Sequence, residues 1–433
     1  MAFPSSGFSD PFSEAPPPPP YESVVIGGSN TGVVPSVGSP PHEVPLATKA
    51  EFDIQVTDPV KHGDGVSAYV SYKVITRTNL EQYKNRQPEV IRRFRDFAWL
   101  AARLQEQNRG IIVPPIPEKN VVQKYQMTTE FIEGRRRALT SFISRVAAHP
   151  VLQTSRDLQN FLEASEDEWA TEVSRAQYES SGAKKRFSNT LQMFKDLGHS
   201  TAALVTGKSA DEEEEPDYLQ VREYVFQLET QLAEAQRQAA RLIKRQAELG
   251  LAMAEFGTSM VSLGKFEKGP LADSFMRLGE KAEALSHAGQ EQANQLTTSF
   301  EAPLRESVRM VKSAKAVMAD RSNALAALQQ ARADVDSKRT KLAKLRGTPG
   351  IKEEKVGEAE RELNEASHKV EAAKEGYALI VRRMSEELAR FQRERAQDMA
   401  ALLRDFVLAQ AQLATDTAKL WRQEGAPAAN GVH

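Results

Sequence analysis

The chain has 433 residues, 57 lysines and arginines against 59 acids, and no cysteine. The length implies two or three folding units, and the lack of cysteine excludes disulfides, thiolate metal sites and a cysteine nucleophile. No run of about 18 apolar residues is present, which excludes a transmembrane helix. Met1 to Ser6 carry neither the basic nor the apolar region of a secretory signal, so a cytosolic protein is expected.

Residues 1–48 are rich in proline, serine and glycine and read as a disordered tail. Pro16 to Pro20 suit either a stiff spacer or a proline-binding partner, and Phe8 to Phe12 have the form of a short adaptor-docking motif. A compact unit is expected over 49–165. Phe52, Ile54 and Val56 alternate with polar residues, as do Val70, Tyr72 and Val74, which marks two strands joined by a turn at His62 to Gly65. Glu89 to Arg93 form a third strand, followed by a helix from Asp96 to Asn108. Ile111 to Lys119 carry too many prolines for a helix and form an extended loop with apolar side chains. A further helix is expected from Thr128 to about Ala147, and Thr154 to Leu162 close the unit. Over 50–164, 17 basic and 13 acidic residues give +4, a sign that favours an anionic partner.

Ile91 to Phe97 are the chemically most telling stretch. An arginine at a strand end presents a rigid fork of donors suited to phosphate, and the ring of Phe94 offers a flat wall for the body of the same ligand. Arg92 and Arg136 read as solvated neighbours. Taken together, Arg92-Arg93-Phe94-Arg95-Asp96-Phe97, the Pro114-Pro115-Ile116-Pro117-Glu118-Lys119 loop and Phe131-Ile132-Glu133-Gly134-Arg135-Arg136 resemble a phox-homology (PX) domain of the sorting nexins. The resemblance implies a pocket for phosphatidylinositol 3-phosphate, with Arg93 on the 3-phosphate, Phe94 under the inositol ring, Lys119 on the 1-phosphate and Arg135 on the ring hydroxyls. It departs from the family at Arg95, where a small residue is usual, and at Phe94, where tyrosine is frequent. Val113 and Ile116 are expected to form a membrane-inserting loop.

Residues 166–216 read as a linker with an amphipathic helix. Phe187, Leu191, Phe194 and Leu197 share one side behind Lys184 to Arg186, which suits either a membrane interface or packing on a neighbour. From 217 to 424 the pattern changes to three long antiparallel helices, with 425–433 disordered. Val221, Val225, Leu228, Leu232, Ala235, Ala239, Leu242, Gln246, Leu249, Met253, Phe256, Met260 and Leu263 follow a four-three spacing, a coiled-coil-like seam. Pro303 lies inside the second helix and is expected to bend it. Gly347 to Gly350 form a sharp turn, and Tyr377, Val381, Met384, Leu388, Phe391, Met399, Leu402, Phe406 and Leu413 mark the third helix.

Three such helices fit a spectrin-like bundle, a coiled-coil tether or a BAR domain, and the PX-like unit in front favours the last. Lys338, Arg339, Lys341, Lys344 and Arg346 are then a basic tip, and Arg309, Lys312 and Lys315 a second basic stripe. As a whole the chain is similar to the PX-BAR sorting nexins, within them to those of plants: an α+β domain with a three-stranded antiparallel sheet and a helical subdomain, then an all-α BAR domain. That resemblance implies a homodimer, or a heterodimer with another sorting nexin. It also implies peripheral attachment to the cytosolic face of endosomal membranes, possession of curvature-sensing or tubule-forming activity, and work alongside retromer. No cofactor beyond the lipid ligand, no metal and no nucleic acid are implied. The seven histidines are scattered, and no HExxH, Gly-x-Ser-x-Gly or Walker A pattern occurs, so catalysis is not expected.

Overall fold

The computed structural model describes residues 52–63, 68–118, 128–180, 216–348 and 352–422. Strands β1 (Phe52–His62), β2 (Tyr69–Thr78) and β3 (Glu89–Arg93) form one antiparallel sheet in that order. Val56 pairs with Val74 and Ser71 with Arg93. Alternation sends Ile54, Val56, Tyr72, Val74 and Val90 to one face, where they are buried. Helices α1 (Phe94–Gln107), α2 (Thr129–Ala148), α3 (Arg156–Glu163) and α4 (Glu166–Ser180) complete this unit. Phe97, Leu100, Leu104, Leu139, Phe142, Ile143, Val146, Phe161 and Leu162 fill its core. The first part of the expected linker belongs to this unit: Trp169 of α4 is buried against Phe161 and Trp99.

The helical unit runs α5 (Pro216–Phe266), α6 (Pro270–Leu296), α7 (Ala302–Arg346) and α8 (Glu353–Arg422). A π-helical turn, Thr297–Glu301, joins α6 to α7 and puts Pro303 in the first turn of α7, where its missing N–H is harmless. The expected bend is therefore absorbed by an inserted residue rather than by a broken helix. The seam of α5 is buried at Val225, Leu232 and Ala239 but then changes character. Beyond that point Ile243, Gly250, Gly257 and Gly264 face α6 at seven-residue intervals. A Cβ on Gly257 would lie 2.8 Å from the Gly279 carbonyl oxygen, and one on Gly279 2.7 Å from that of Gly257. The helices touch backbone to backbone there, while Leu242, Leu249 and Phe256 remain exposed.

The two units are joined by a polar and apolar seam. The extended run after Gly110 alternates: Ile111 and Val113 enter the core of the sheet unit, and Ile112 enters the core of the helical one. Gly110 takes φ +85°, and a side chain there would meet Arg383 Cβ at 3.1 Å and the Ile380 oxygen at 3.2 Å, so the close approach needs glycine. Arg145 of α2 pairs with Glu306 of α7 at 2.9 Å and Asp398 of α8 at 2.8 Å, and Ser141 donates to Glu306 at 2.6 Å. At the centre Glu387 accepts the Ile112 N–H at 3.0 Å and bonds His149 Nε2 at 3.1 Å.

Candidate functional site

Strand β3 ends with two arginines, and the strand period sends them to opposite faces. Arg92 goes inward and is fully buried. Its Nε donates to the Phe161 carbonyl at 2.9 Å and its Nη2 to that of Ala164 at 2.6 Å, which satisfies the open C-terminal end of α3. Its guanidinium lies 4.9 Å from the Trp169 ring centroid and so holds α4. Burial pulls its pKa down to about 10, still charged at neutral pH. The expectation of a solvated Arg92 is corrected: it is a structural cap. Arg136 is likewise no bystander, since it pairs with Glu133 at 2.9 Å and donates to the Val56 carbonyl on the sheet edge at 2.8 Å.

Arg93 faces the other way. Its backbone N–H donates to Asp96 Oδ2 at 2.7 Å, which starts α1 and fixes where the strand stops. Its guanidinium carbon sits 3.9 Å from the ring centroid of Tyr69. Tyr69 is in turn stacked on His62, centroids 4.7 Å apart and planes 15° apart. Arg135 comes to the same region from α2, sandwiched between Phe94 at 4.5 Å and Phe131 at 4.3 Å. Burial lowers its pKa. Its one hydrogen bond among the described residues is a long contact, 3.4 Å, from Nη2 to the Glu118 carbonyl. Among the described residues neither Arg93 nor Arg135 has a carboxylate partner. Two charged forks, each braced on aromatic faces and free of carboxylates among the described residues, can receive an oxyanion.

The structure thus brings together Arg93, Phe94 and Arg135 of the expected set, whereas Lys119 lies outside the described residues. Arg95 sits beside them with its side chain mostly exposed, 3.7 Å from Asp96. Sequence reading missed Tyr69, His62 and, as a site residue, Phe131. The expected membrane-inserting loop is corrected. Val113 is buried in the core and Ile116 packs against it, because the proline-fixed strand-like run turns its side chains onto the domain rather than away from it. Phe187, Leu191, Phe194 and Leu197 lie outside the described residues.

The helical unit changes the basic clusters too. Lys338 and Lys341 both reach Glu362 of α8, at 3.3 and 3.1 Å, and Arg346 reaches Glu360 at 2.6 Å. Arg339 lies 3.5 Å from Asp336. Only Lys344 of the five has no ion pair among the described residues. The stripe is corrected in part: Lys315 turns inward to Glu229 at 2.5 Å and lies over the Phe226 ring, and Arg309 is half-buried, while Lys312 stays exposed. No described helix is long and apolar enough to cross a membrane.

Residues 81–165 match the family model for the PX domain, and residues 173–424 match that described as Vps5 C terminal like. Sorting nexin 1 of Arabidopsis thaliana is 41% identical over 372 residues, 86% of this chain and 91% of that protein. The chain belongs to the sorting nexins. Sorting nexin 2B of the same plant is 28% identical over 93% of this chain and 80% of its own length, and mouse sorting nexin-1 is 29% identical over 80% and 66%. The solved structure of the SNX-BAR Mvp1 tetramer superposes with a TM-score of 0.55 at 16% identity, covering 86% of this chain and 99% of that one, which shows the shared fold. This sorting nexin therefore joins a PX domain to a BAR-like helical region, the architecture of non-enzymatic membrane-binding adaptors.

Proposed function

We propose that this sorting nexin recognises phosphatidylinositol 3-phosphate on the cytosolic face of endosomal membranes and acts there in sorting with retromer, its BAR-like region paired into a curved platform. The observation that carries the reading is the state of Arg93 and Arg135, two ring-braced guanidinium groups without a carboxylate partner among the described residues. Phe94 then offers the wall for the inositol ring, and Lys119 is the candidate for the 1-phosphate. Sedimentation with phosphatidylcholine vesicles, with and without phosphatidylinositol 3-phosphate, tests this. Arg93→Ala should lose the difference between the two while keeping its fold, and retained selectivity sinks the assignment.

For pairing, the supporting feature is the bare apolar track on α5. Leu242, Leu249 and Phe256 are 49%, 64% and 42% exposed, and Leu403 and Val407 of α8 are exposed as well. Leu242 and Phe256 lie seven residues either side of Leu249. An antiparallel second copy crossing at Leu249 would set Leu242 of one copy on Phe256 of the other, and Arg241 and Lys244 near Glu255. Leu249→Glu should halve the mass measured by light scattering. The tip cluster Lys338, Arg339, Lys341, Lys344 and Arg346 and the helix carrying Phe187, Leu191, Phe194 and Leu197 are the proposed further membrane contacts. Phe187→Glu with Phe194→Glu should suppress tubulation of vesicles.

The pairing of the tip with Glu360 and Glu362 favours a second reading, a coiled-coil scaffold anchored by its PX domain without membrane remodelling. Such a scaffold would bind small and large vesicles equally, whereas the curved platform prefers one size.

A further inference from the structure

We infer that Tyr69, backed by His62, is a positioning residue for the headgroup: it holds the Arg93 guanidinium by its face so that an in-plane edge of its N–H groups meets the phosphate bidentately. The inference rests on the reading of Arg93 given under Proposed function and goes beyond it to a residue that does not touch the phosphate itself.

The argument begins with the sheet register. Ser71 of β2 stands opposite Arg93, so Tyr69, two residues along, shares its face and lies on the diagonal. Strand β3 stops at Arg93, so no β3 residue stands opposite Tyr69, and the Arg93 side chain lies across the ring at 3.9 Å. On its other side His62, paired with Tyr69 in register, stacks on the ring at 4.7 Å. His62 is itself fixed, its Nε2 being 2.7 Å from the buried Ser71 hydroxyl. The result is a three-layer pile of imidazole, phenol and guanidinium.

Its chemistry suits an anion receptor. A carboxylate partner would fix Arg93 equally well, but it would occupy the fork and cancel the charge that phosphate needs. A ring holds the same group through its π-face and leaves the five donors at the edge free. Immobilising a long side chain beforehand also lowers the entropy cost at binding. Arg135, held by the rings of Phe94 and Phe131, follows the same plan from α2.

The test uses the full chain, with two probes: phosphatidylcholine vesicles carrying phosphatidylinositol 3-phosphate, and soluble inositol 1,3-bisphosphate. Tyr69→Leu should bind both roughly tenfold more weakly at an unchanged melting temperature, the size expected for a partly desolvated cation–π contact. Tyr69→Phe should restore binding, and His62→Leu should weaken it in the same direction by less. In an Arg93→Lys background, where no planar fork remains to be stacked, Tyr69→Leu should add little. Several results overturn the inference. One is Tyr69→Leu binding both probes within about twofold of wild type, well below a cation–π contribution. Another is a loss on vesicles alone, which would make Tyr69 a bilayer contact. A third is failure of Tyr69→Phe to rescue. A wild-type chain indifferent to the 3-phosphate overturns the reading of the site, and the inference with it.

Discussion

Glu387 is the group on which the junction between the PX domain and the helices turns, and its replacement has a calculable cost. It is a buried carboxylate on α8. Besides the Ile112 N–H at 3.0 Å and His149 Nε2 at 3.1 Å, it accepts Arg390 Nη2 at 2.6 Å and Nε at 3.2 Å. His149 Nδ1 accepts the backbone N–H groups of Val151 and Leu152 at 3.1 and 3.3 Å, which fixes the proton on Nε2 and makes it the donor. Burial alone would raise the Glu387 pKa, but the hydrogen bonds from His149 and Arg390 outweigh it and hold it at about 2. Against 4.5 for the free group, that depression is worth about 3 kcal/mol at neutral pH. Because the folded value is lowered, this stability is complete above the ordinary carboxylate range and is lost as pH falls from there toward about 2.

Glu387→Ala also strands the Ile112 N–H and leaves Arg390 with Glu394, at 2.8 Å, as its remaining carboxylate; breaking a buried pair from one side costs about 3 to 5 kcal/mol, and that second partner puts the loss at the low end. The two routes agree near 3. The readout is amide hydrogen exchange at Ile112, which should quicken roughly a hundredfold at pH 7. The difference between variant and wild type should shrink toward pH 2. An Ile112 amide equally protected in both proteins at pH 7 would refute the hub.

Three other perturbations follow from the same contacts. Arg92→Ala removes the cap from α3 and the brace from Trp169, and should cost the PX domain about 3 kcal/mol or more in urea unfolding, where Arg93→Ala costs little. Gly257→Val forces α5 and α6 apart against the 2.8 Å approach to Gly279, with a loss of about 1 to 3 kcal/mol seen in the unfolding midpoint. Glu362→Gln frees Lys338 and Lys341, so binding to anionic vesicles at low salt should rise, and by more than on neutralising an exposed acid remote from the tip.

The elements were legible in the sequence because each carries its own punctuation. Period two marks the strands, Pro216 and Pro270 open helices, and Met384, Leu388, Phe391 and Leu402 are buried as their spacing indicates. The misses share one cause: they depend on what lies opposite. Leu249 reads as seam, but the contact with α6 is made by glycines, which a search for large apolar residues does not reward. Val113 has the polarity of a membrane-loop residue, and only the path of its backbone says which way it faces. The tip looks acid-free along α7, yet α8 returns with Glu360 and Glu362. Of the candidate site, the motif shows Arg93, Phe94 and Arg135, because they are local. Tyr69 and His62 reach it through strand register, which no single segment displays.

Helix α2 ties these parts into one object. It carries Arg135 on the pocket side and Arg145 and His149 on the side that docks with α7 and α8. Fourteen residues separate Arg135 from His149, roughly 21 Å of helix. A helix anchored at one end by a buried carboxylate and two ion pairs does not pivot freely, so the direction in which the pocket opens is set by the long helices. On the reading proposed above, a headgroup held in that pocket would fix the angle at which the helices meet the bilayer. Loosening the junction at Glu387 should therefore leave the affinity for soluble inositol 1,3-bisphosphate intact while removing any preference among vesicle sizes. On the reading proposed above, affinity for the soluble headgroup belongs to the PX pocket, and curvature preference to the angle between that pocket and the helices.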